Sequence, residues 1–257
     1  MKLGVNIDHV AVLREARAVN DPQIIHAMFE AVSGGADQIT IHLREDRRHI
    51  NEDDVKNIIN LSPIPVNLEC SISSEIIDIV CALKPHRATI VPEKREELTT
   101  EGGLSLDSLN LKNVISKLND NDIKVSLFID PKKNDVTVSK ELGATCVELH
   151  TGAYANTFLM LNSNLNHTKY KINSLNLKRS ELEILLNSEL TRIKEAANLG
   201  INLGLEVAAG HGLNYQNVIA IAAIKDIFEL NIGQSIVAKS VFVGLKNAVK
   251  EMMELVK

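Results

Sequence analysis

The chain has 257 residues, 45% hydrophobic and 24% charged, with 33 acidic against 28 basic side chains and a formal net charge of -5. Disorder needs low hydrophobicity with high net charge, and a membrane helix needs about 20 consecutive apolar residues. The composition excludes the first, and the longest apolar run, Val218 to Ile224, stops at Lys225 and excludes the second.

Aromatic residues make up only 3% of the chain, with no Trp, so we expect no nucleic-acid partner reading bases through stacked rings on a basic surface. The same scarcity predicts a core of Ile, Leu, Val and Ala, as in the layered aliphatic interior of an α/β barrel. Cys70, Cys81 and Cys146 form no C-x-x-C pair and lie in or beside apolar stretches, which reads as reduced, buried thiols. Asn6 and Asp8 interrupt the N-terminal stretch before it reaches signal-peptide length, so a cytoplasmic protein is expected.

Short β-branched runs bounded by turn residues predict strands at Leu3 to Ile7, Gln38 to His42, Pro65 to Glu69 and Arg87 to Val91, then Lys124 to Ile129, Cys146 to His150, Leu203 to Val207 and Ile227 to Ile232. Helical periodicity fills the gaps, with caps expected at Asp21, Ser73 or Ser74, Asp107, Ser180 and Asn214. Eight strands alternating with helices at this length predict one α/β domain over residues 1–257, a (β/α)8 TIM barrel with extra helices; an open doubly wound sheet is the alternative. The run Gly35 to His42 echoes Gly143 to His150, which aligns strand two with strand six and sets His42 and His150 at one depth.

Residues 155–180 break the spacing. They hold six Asn and no acidic residue, with Tyr154, Phe158 and Tyr170 in or beside them. They read as an inserted loop or helical segment after strand six, at the face where barrel catalytic loops lie.

Active sites of such barrels are built from the C-terminal ends of the strands. Those positions carry Asn6, Asp8 and His9, then His42 and Arg44, Glu69, Glu93, Asp130, Glu148, His150, His211 and Asn231. Inward core positions are expected to be apolar, so a converging ring of polar groups is costly unless used. His42, Glu69 and His211 come from three strands and suit a series of proton transfers. The Gly-rich stretches Gly210-His211-Gly212 and Gly233-Gln234, the second opening a helix, offer backbone N–H groups to a phosphate. Arg44 and His49, flanking a charge-rich loop after strand two, suggest a second anion site; Arg14, Arg17 and the loop Thr99 to Gly103 stay ambiguous between the mouth and solvent. A metal-dependent aldolase or epimerase using His42, Glu69, Glu148, His150 and His211 is a second reading, although no compact ligand spacing supports it. A non-catalytic phosphate-ligand binding protein is a third.

The motifs Gly4 to His9, His42 to Ile50, Val91 to Arg95, Thr99 to Gly103, Ser126 to Asp130, His150 to Gly152 and Ala209 to Leu213 closely resemble the pyridoxine 5′-phosphate synthase family. The resemblance leaves out Ala155 to about Ser180, longer than the family leads us to expect. It implies a (β/α)8 enzyme of vitamin B6 biosynthesis. Such an enzyme condenses 3-amino-2-oxopropyl phosphate with 1-deoxy-D-xylulose 5-phosphate, releasing pyridoxine 5′-phosphate, inorganic phosphate and water, with no organic cofactor or catalytic metal. It further implies His42 and Glu69 as proton acceptors, His211 as proton donor and Glu148 as transition-state stabiliser. Asn6, Arg17, Gly212, Gly233 and the residue after it match contacts to the amino-ketone phosphate, and Asp8, His9, Arg44, His49 and Thr99 those to the deoxyxylulose phosphate. Gln234 stands where the family pattern leads us to expect His. The resemblance also implies a homo-oligomer, an octamer built from dimers.

Overall fold

The computed structural model describes residues 1–93 and 102–257; Thr99, Thr100 and Glu101 of the loop after strand four lie outside the described residues. The chain begins β1 (Lys2–Asn6), α1 (Asp8–Glu15), α2 (Ile24–Ser33) and β2 (Gln38–Leu43). It continues α3 (Glu52–Leu61), β3 (Val66–Cys70), α4 (Ser74–Leu83), β4 (Arg87–Ile90), α5 (Leu111–Asn119) and β5 (Lys124–Ile129). Next come α6 (Lys133–Glu141), β6 (Cys146–His150), α7 (Gly152–Asn162), α8 (Arg179–Asn202) and β7 (Glu206–Gly210). The chain ends α9 (Val218–Ala222), β8 (Glu229–Ile232), α10 (Gln234–Val243) and α11 (Leu245–Val256). All eight strands pair in parallel, β1 closing onto β8, so the sheet is a closed barrel in sequence order. The open-sheet alternative is thereby excluded.

Two local expectations are corrected. Strand seven begins at Glu206, three residues later than its predicted start at Leu203: α8 runs to Asn202, and Leu203 and Gly204 form its C-terminal turn, Gly204 at φ +72°. The apolar Leu203 therefore ends a helix, while Ala208, Ala209 and Gly210 make the strand. Of the expected helix starts, Ser73, one of the two serines offered, stands at the N-cap of α4 without a side-chain capping bond, but α2, α5, α8 and α9 are preceded by Gln23, Asn110, Lys178 and Asn217. At the last of these Asn214 still organises the turn, accepting the N–H groups of Gln216 and Asn217.

Residues 155–180 divide into the remainder of α7, a connection with two short 3-10 turns, and the start of α8, against which α7 packs. Tyr154 is buried, donating its hydroxyl to the Asn217 carbonyl at 2.8 Å, with the Phe158 ring 6.2 Å away; Tyr170 is exposed and belongs to neither.

The largest correction concerns the barrel interior, which is polar. Strands alternate with period two, as in Gln38-Ile39-Thr40-Ile41-His42-Leu43, and Leu3, Val5, Ile39, Ile41, Leu68, Leu127 and Leu149 join the core packed under the helices. The opposite face holds Gln38, Thr40, Asn67, Arg87, Thr89, Ser126, Glu148, Glu229 and Asn231, all buried. Arg87 on β4 reaches Glu229 on β8 at 2.6 Å, and β4 and β8 stand opposite each other in the ring, so this ion pair spans the lumen. Gln38 donates to the same Glu229 oxygen at 3.0 Å, and Thr89 donates to Asn67 at 2.7 Å. These bonds offset much of the cost of burying charges and amides, although Asn67 Nδ2, Arg87 Nε and Ser126 Oγ stay without a partner among the described residues. The chain is ring-poor because aliphatics fill the sheet–helix layer; they do not fill the lumen.

Candidate active site

The C-terminal mouth divides into two facing clusters. On the β1–β3 side, Asp8 opens α1, and its carboxylate Oδ1 accepts the backbone N–H of His42 at 2.9 Å while its own N–H donates to Asn6 Oδ1. His42 Nε2 lies 2.8 Å from Glu93 Oε1, and its Nδ1 lies 3.9 Å from Glu69 Oε2. Glu93, seen in sequence only as a residue beyond strand four, is thus the partner that orients His42; its other oxygen accepts the Glu45 N–H. Burial would raise the Glu93 carboxyl, but the His42 hydrogen bond and charge, the Glu45 N–H and Arg44 together hold it below the usual range.

On the β5–β8 side stand Asp130, Glu148, His150, His211 and Asn231. Glu148 Oε2 accepts from Asn231 Nδ2 at 2.7 Å. The His150 and His211 rings lie 4.9 Å apart. His211 itself sits at φ +79°, a strained backbone for a residue with a side chain, in the turn it shares with Gly212. His42, next to last in β2, and His150, last in β6, lie near the C-terminal ends of opposite strands.

Burial shifts the two kinds of group oppositely, because it penalises charge of either sign. Asp8 is pushed up to about 6 by burial, against the pull of His42, Asn6 and Arg44. Glu148 is raised to about 7 by burial and by Glu229, with the Asn231 hydrogen bond and Arg87 opposing. Glu69 is raised well above its ordinary value by burial and then by the charges of Glu148 and Asp8. His49 is lowered to about 3 and His211 to about 4, in each case chiefly by burial. Near neutral pH the mouth therefore offers, in Glu148, a carboxyl able to donate and, in His49 and His211, imidazoles able to accept.

The loop after β2 neutralises itself. Arg44 and Arg48 pair with Asp46, and Arg47 with Glu52 and Glu75. An anion bound by Arg44 must therefore compete with Asp46. His49 turns towards His42, the ring centroids 6.1 Å apart. Arg14, ambiguous in sequence, is buried and holds the loop: it makes two 2.8 Å bonds to Asp54 and a third to the His49 carbonyl. Arg17 lies exposed in the turn after α1, and no side-chain contact among the described residues joins it to the mouth. His9 keeps a buried Nδ1 without a partner among the described residues. Gly233 packs against Asn6, and Gln234, exposed, opens α10, so this helix N-terminus faces the end of β1.

The five-residue metal set does not assemble. Among the described residues, the donors close enough to hold a cation are Asp8, His42 and Glu69, whose ligand atoms lie within 4.8 Å of one another. Cys70 and Cys146 are buried and Cys81 partly so; burial raises all three thiols and leaves them poor nucleophiles.

These features define a class: a (β/α)8 barrel with an acid/base site at its C-terminal mouth. Residues 3–257 match the family described as pyridoxal phosphate biosynthesis protein PdxJ, and the chain belongs to that family. It is 95% identical to a pyridoxine 5′-phosphate synthase of Campylobacter fetus subsp. fetus and 62% identical to one of Campylobacter hominis, covering the whole of both chains in each case. These matches run through residues 155–180, so the expectation that the segment exceeds the family's length does not hold for these relatives. Among solved structures, a thiamine phosphate pyrophosphorylase from Pyrococcus furiosus aligns at a TM-score of 0.57 and 12% identity, over 99% of this chain and 95% of that one. The tryptophan synthase A-subunit of Pyrococcus furiosus aligns at 0.59 and 11%, over 99% and 97%. Both likenesses concern the barrel fold alone.

Proposed function

We propose that the chain is a pyridoxine 5′-phosphate synthase, joining 3-amino-2-oxopropyl phosphate to 1-deoxy-D-xylulose 5-phosphate and releasing pyridoxine 5′-phosphate, inorganic phosphate and water. The observation that carries this reading is the pair of facing clusters, Asp8–His42–Glu69–Glu93 against Glu148–His150–His211, at one mouth. The reaction needs an amine to attack a ketone with loss of water, phosphate to leave, a water to add, a carbon–carbon bond to close the ring, and two further waters and carbon-bound protons to be lost as the ring becomes aromatic. No single side chain is in the right place and protonation state for every step, so a set on different strands serves them in turn.

In this reading His42, held by Glu93, accepts a proton at the imine-forming step, and Glu69 accepts at a later one. His211 donates to the departing oxygen, and Glu148, anchored by Asn231, faces the charge that develops in the lumen. Phosphate dianions arriving at the mouth favour a protonated imidazole and so raise His211 from about 4 towards the range where it donates. The substrate amine, as a cation, lowers the Glu69 carboxyl towards the range where it accepts. The α10 N-terminus at Gly233 and Gln234, with Gly212, Asn6 and Arg17, would hold one phosphate; Arg44, His49, His9, Asp8 and Thr99 would bind the second substrate. Gln234 can donate through its amide and its backbone N–H, which suffices for a phosphate contact.

We further propose that the enzyme works in the cytoplasm as a homo-oligomer, an octamer built from dimers. No helix among the described residues is long and apolar enough to cross a membrane. Leu13 on α1 and Val241 and Phe242 on the neighbouring α10 are exposed apolar side chains suited to subunit contact. Light scattering at micromolar concentration is expected to give the oligomer, and a monomer would contradict it.

A metal-dependent aldolase or epimerase is the second reading, favoured by the Asp8–His42–Glu69 grouping. Turnover of the two phosphates that survives exhaustive chelation rejects it; loss of turnover restored by a divalent cation supports it.

A further inference from the structure

The mouth contains an imidazole to which the proposed chemistry gives no task. His150, the last residue of β6, is 7% exposed. Its Nδ1 lies 3.5 Å from Asp130 Oδ1. Asp130 is itself fixed, accepting the Gly103 N–H on Oδ1 and Lys132 Nζ on Oδ2, each at 2.9 Å. The other ring nitrogen, Nε2, is buried and has no hydrogen-bond partner among the described residues. Leaving such an atom unsatisfied is costly, and the exceptions in native proteins concentrate where chemistry needs them.

The surroundings show what Nε2 faces. A Cβ on Gly152 would fall 2.5 Å from His150 Nε2 and 3.4 Å from His211 Cδ2, so the Gly152 backbone packs against both rings and leaves no room for a side chain there. Phe128 backs them, its ring centroid 5.2 Å from that of His150 and 6.2 Å from that of His211. A carboxylate beside Nδ1 selects the tautomer with the proton there and leaves the Nε2 lone pair unshared, beside Gly152 and close to the His211 ring.

We propose that His150, its tautomer set by Asp130, is a positioning residue for His211: a neutral ring packed against the donor ring, its unshared Nε2 accepts from His211 once that ring takes up a second proton, and so holds it in the orientation and charge state from which the proton is given up. The charged and titratable groups around His150 are Asp130 and Lys132 beyond β5, His211 beyond β7 and Glu148 on its own strand; His9, from α1, acts on His211. Burial lowers the His150 ring and outweighs Asp130, which keeps it neutral near neutral pH, and a charged His150 would depress His211 further. This inference rests on the ring-forming reading for its kinetic arm only.

The test uses the full-length protein, four single variants and one double variant. His150→Phe keeps a ring against Phe128 but loses the acceptor; kcat is expected to fall at least about tenfold with KM for both substrates nearly unchanged, as loss of an orienting partner does. His150→Gln puts an amide oxygen near the place of Nε2 and should recover most of that loss, and with it a kcat profile whose acidic limb matches the wild type. His150→Asn reaches only the Nδ1 position and should not recover it. Asp130→Asn should cost kcat in the wild-type background and add nothing to His150→Phe. Nitrogen-15 NMR of histidine-labelled protein, independent of turnover and of whether His150→Phe folds, should find Nδ1 of His150 protonated. Wild-type kcat in His150→Phe, a loss confined to KM, additive Asp130→Asn effects, or an Nε2-protonated His150 overturns the proposal. A wild-type protein without turnover sinks the functional reading, whereas an active one indifferent to His150 sinks this inference alone.

Discussion

Asn231 on β8 donates to Glu148 on β6 at 2.7 Å across the intervening β7, where Gly210 pairs with Asn231 and approaches Glu148. Only a residue without a side chain permits this bond. A Cβ at position 210 would fall 2.4 Å from Glu148 Oε1 and 2.8 Å from the Asn231 carbonyl oxygen. Gly210→Ala is therefore expected to cost about 1–3 kcal/mol in chemical denaturation and to lower kcat at least about tenfold by displacing Glu148. Unchanged stability and kcat would show that the lumen is looser than this geometry.

Glu148 also makes a pH prediction. Its folded pKa, about 7, lies above the ordinary 4.5, so the folded state holds the proton more tightly than the unfolded one. That preference is fully present below about 4.5 and is lost as pH rises through about 7. Glu148→Gln, which never carries the charge, should thus melt higher than wild type at pH 8, by an amount of order 3 kcal/mol at most, with no advantage near pH 4.5. The same variant should be catalytically poor. A pH-independent difference in melting would contradict the burial argument.

Arg14 tests the scaffold beneath the loop after β2. It is buried, and its bonds to Asp54 and to the His49 carbonyl link α1, α3 and that loop. Arg14→Met should cost about 3–5 kcal/mol in urea unfolding, because Asp54 is left with a buried, poorly compensated charge. A cost below about 1 kcal/mol would make the pair an ordinary surface bridge.

Glu69→Gln and His211→Asn remove groups given the acceptor and donor tasks. Each is expected to lower turnover at least about a hundredfold. Near-normal rates would take those residues out of the chemistry.

The barrel and most of the mouth were legible because strand ends are local: a β-branched run and the polar residue closing it can be read without knowing its neighbours. His42, Glu69, Glu148 and His211 were all found in this way. Glu93, Asn231 and Asp130 were visible as strand-end residues, yet their partners His42, Glu148 and His150 lie 51, 83 and 20 positions away, and only barrel register joins them. The polar lumen could have been read from the alternation in Gln38 to Leu43 or Glu229 to Ile232, where a continuous aliphatic interior would have left no polar alternate residues. Strand seven slipped because Leu203 looks like a strand residue, while the true strand consists largely of small residues of low β propensity. Arg14 and Arg17 are three residues apart on one short stretch, and only tertiary contact with Asp54 tells the buried one from the exposed one.

The measurement that bears most directly on the account is incubation of the purified chain with 3-amino-2-oxopropyl phosphate and 1-deoxy-D-xylulose 5-phosphate, following inorganic phosphate and pyridoxine 5′-phosphate absorbance together. The account predicts that both appear in equal amounts and that neither forms when either substrate is withheld. Release of neither product, from folded protein with both substrates present, would contradict it.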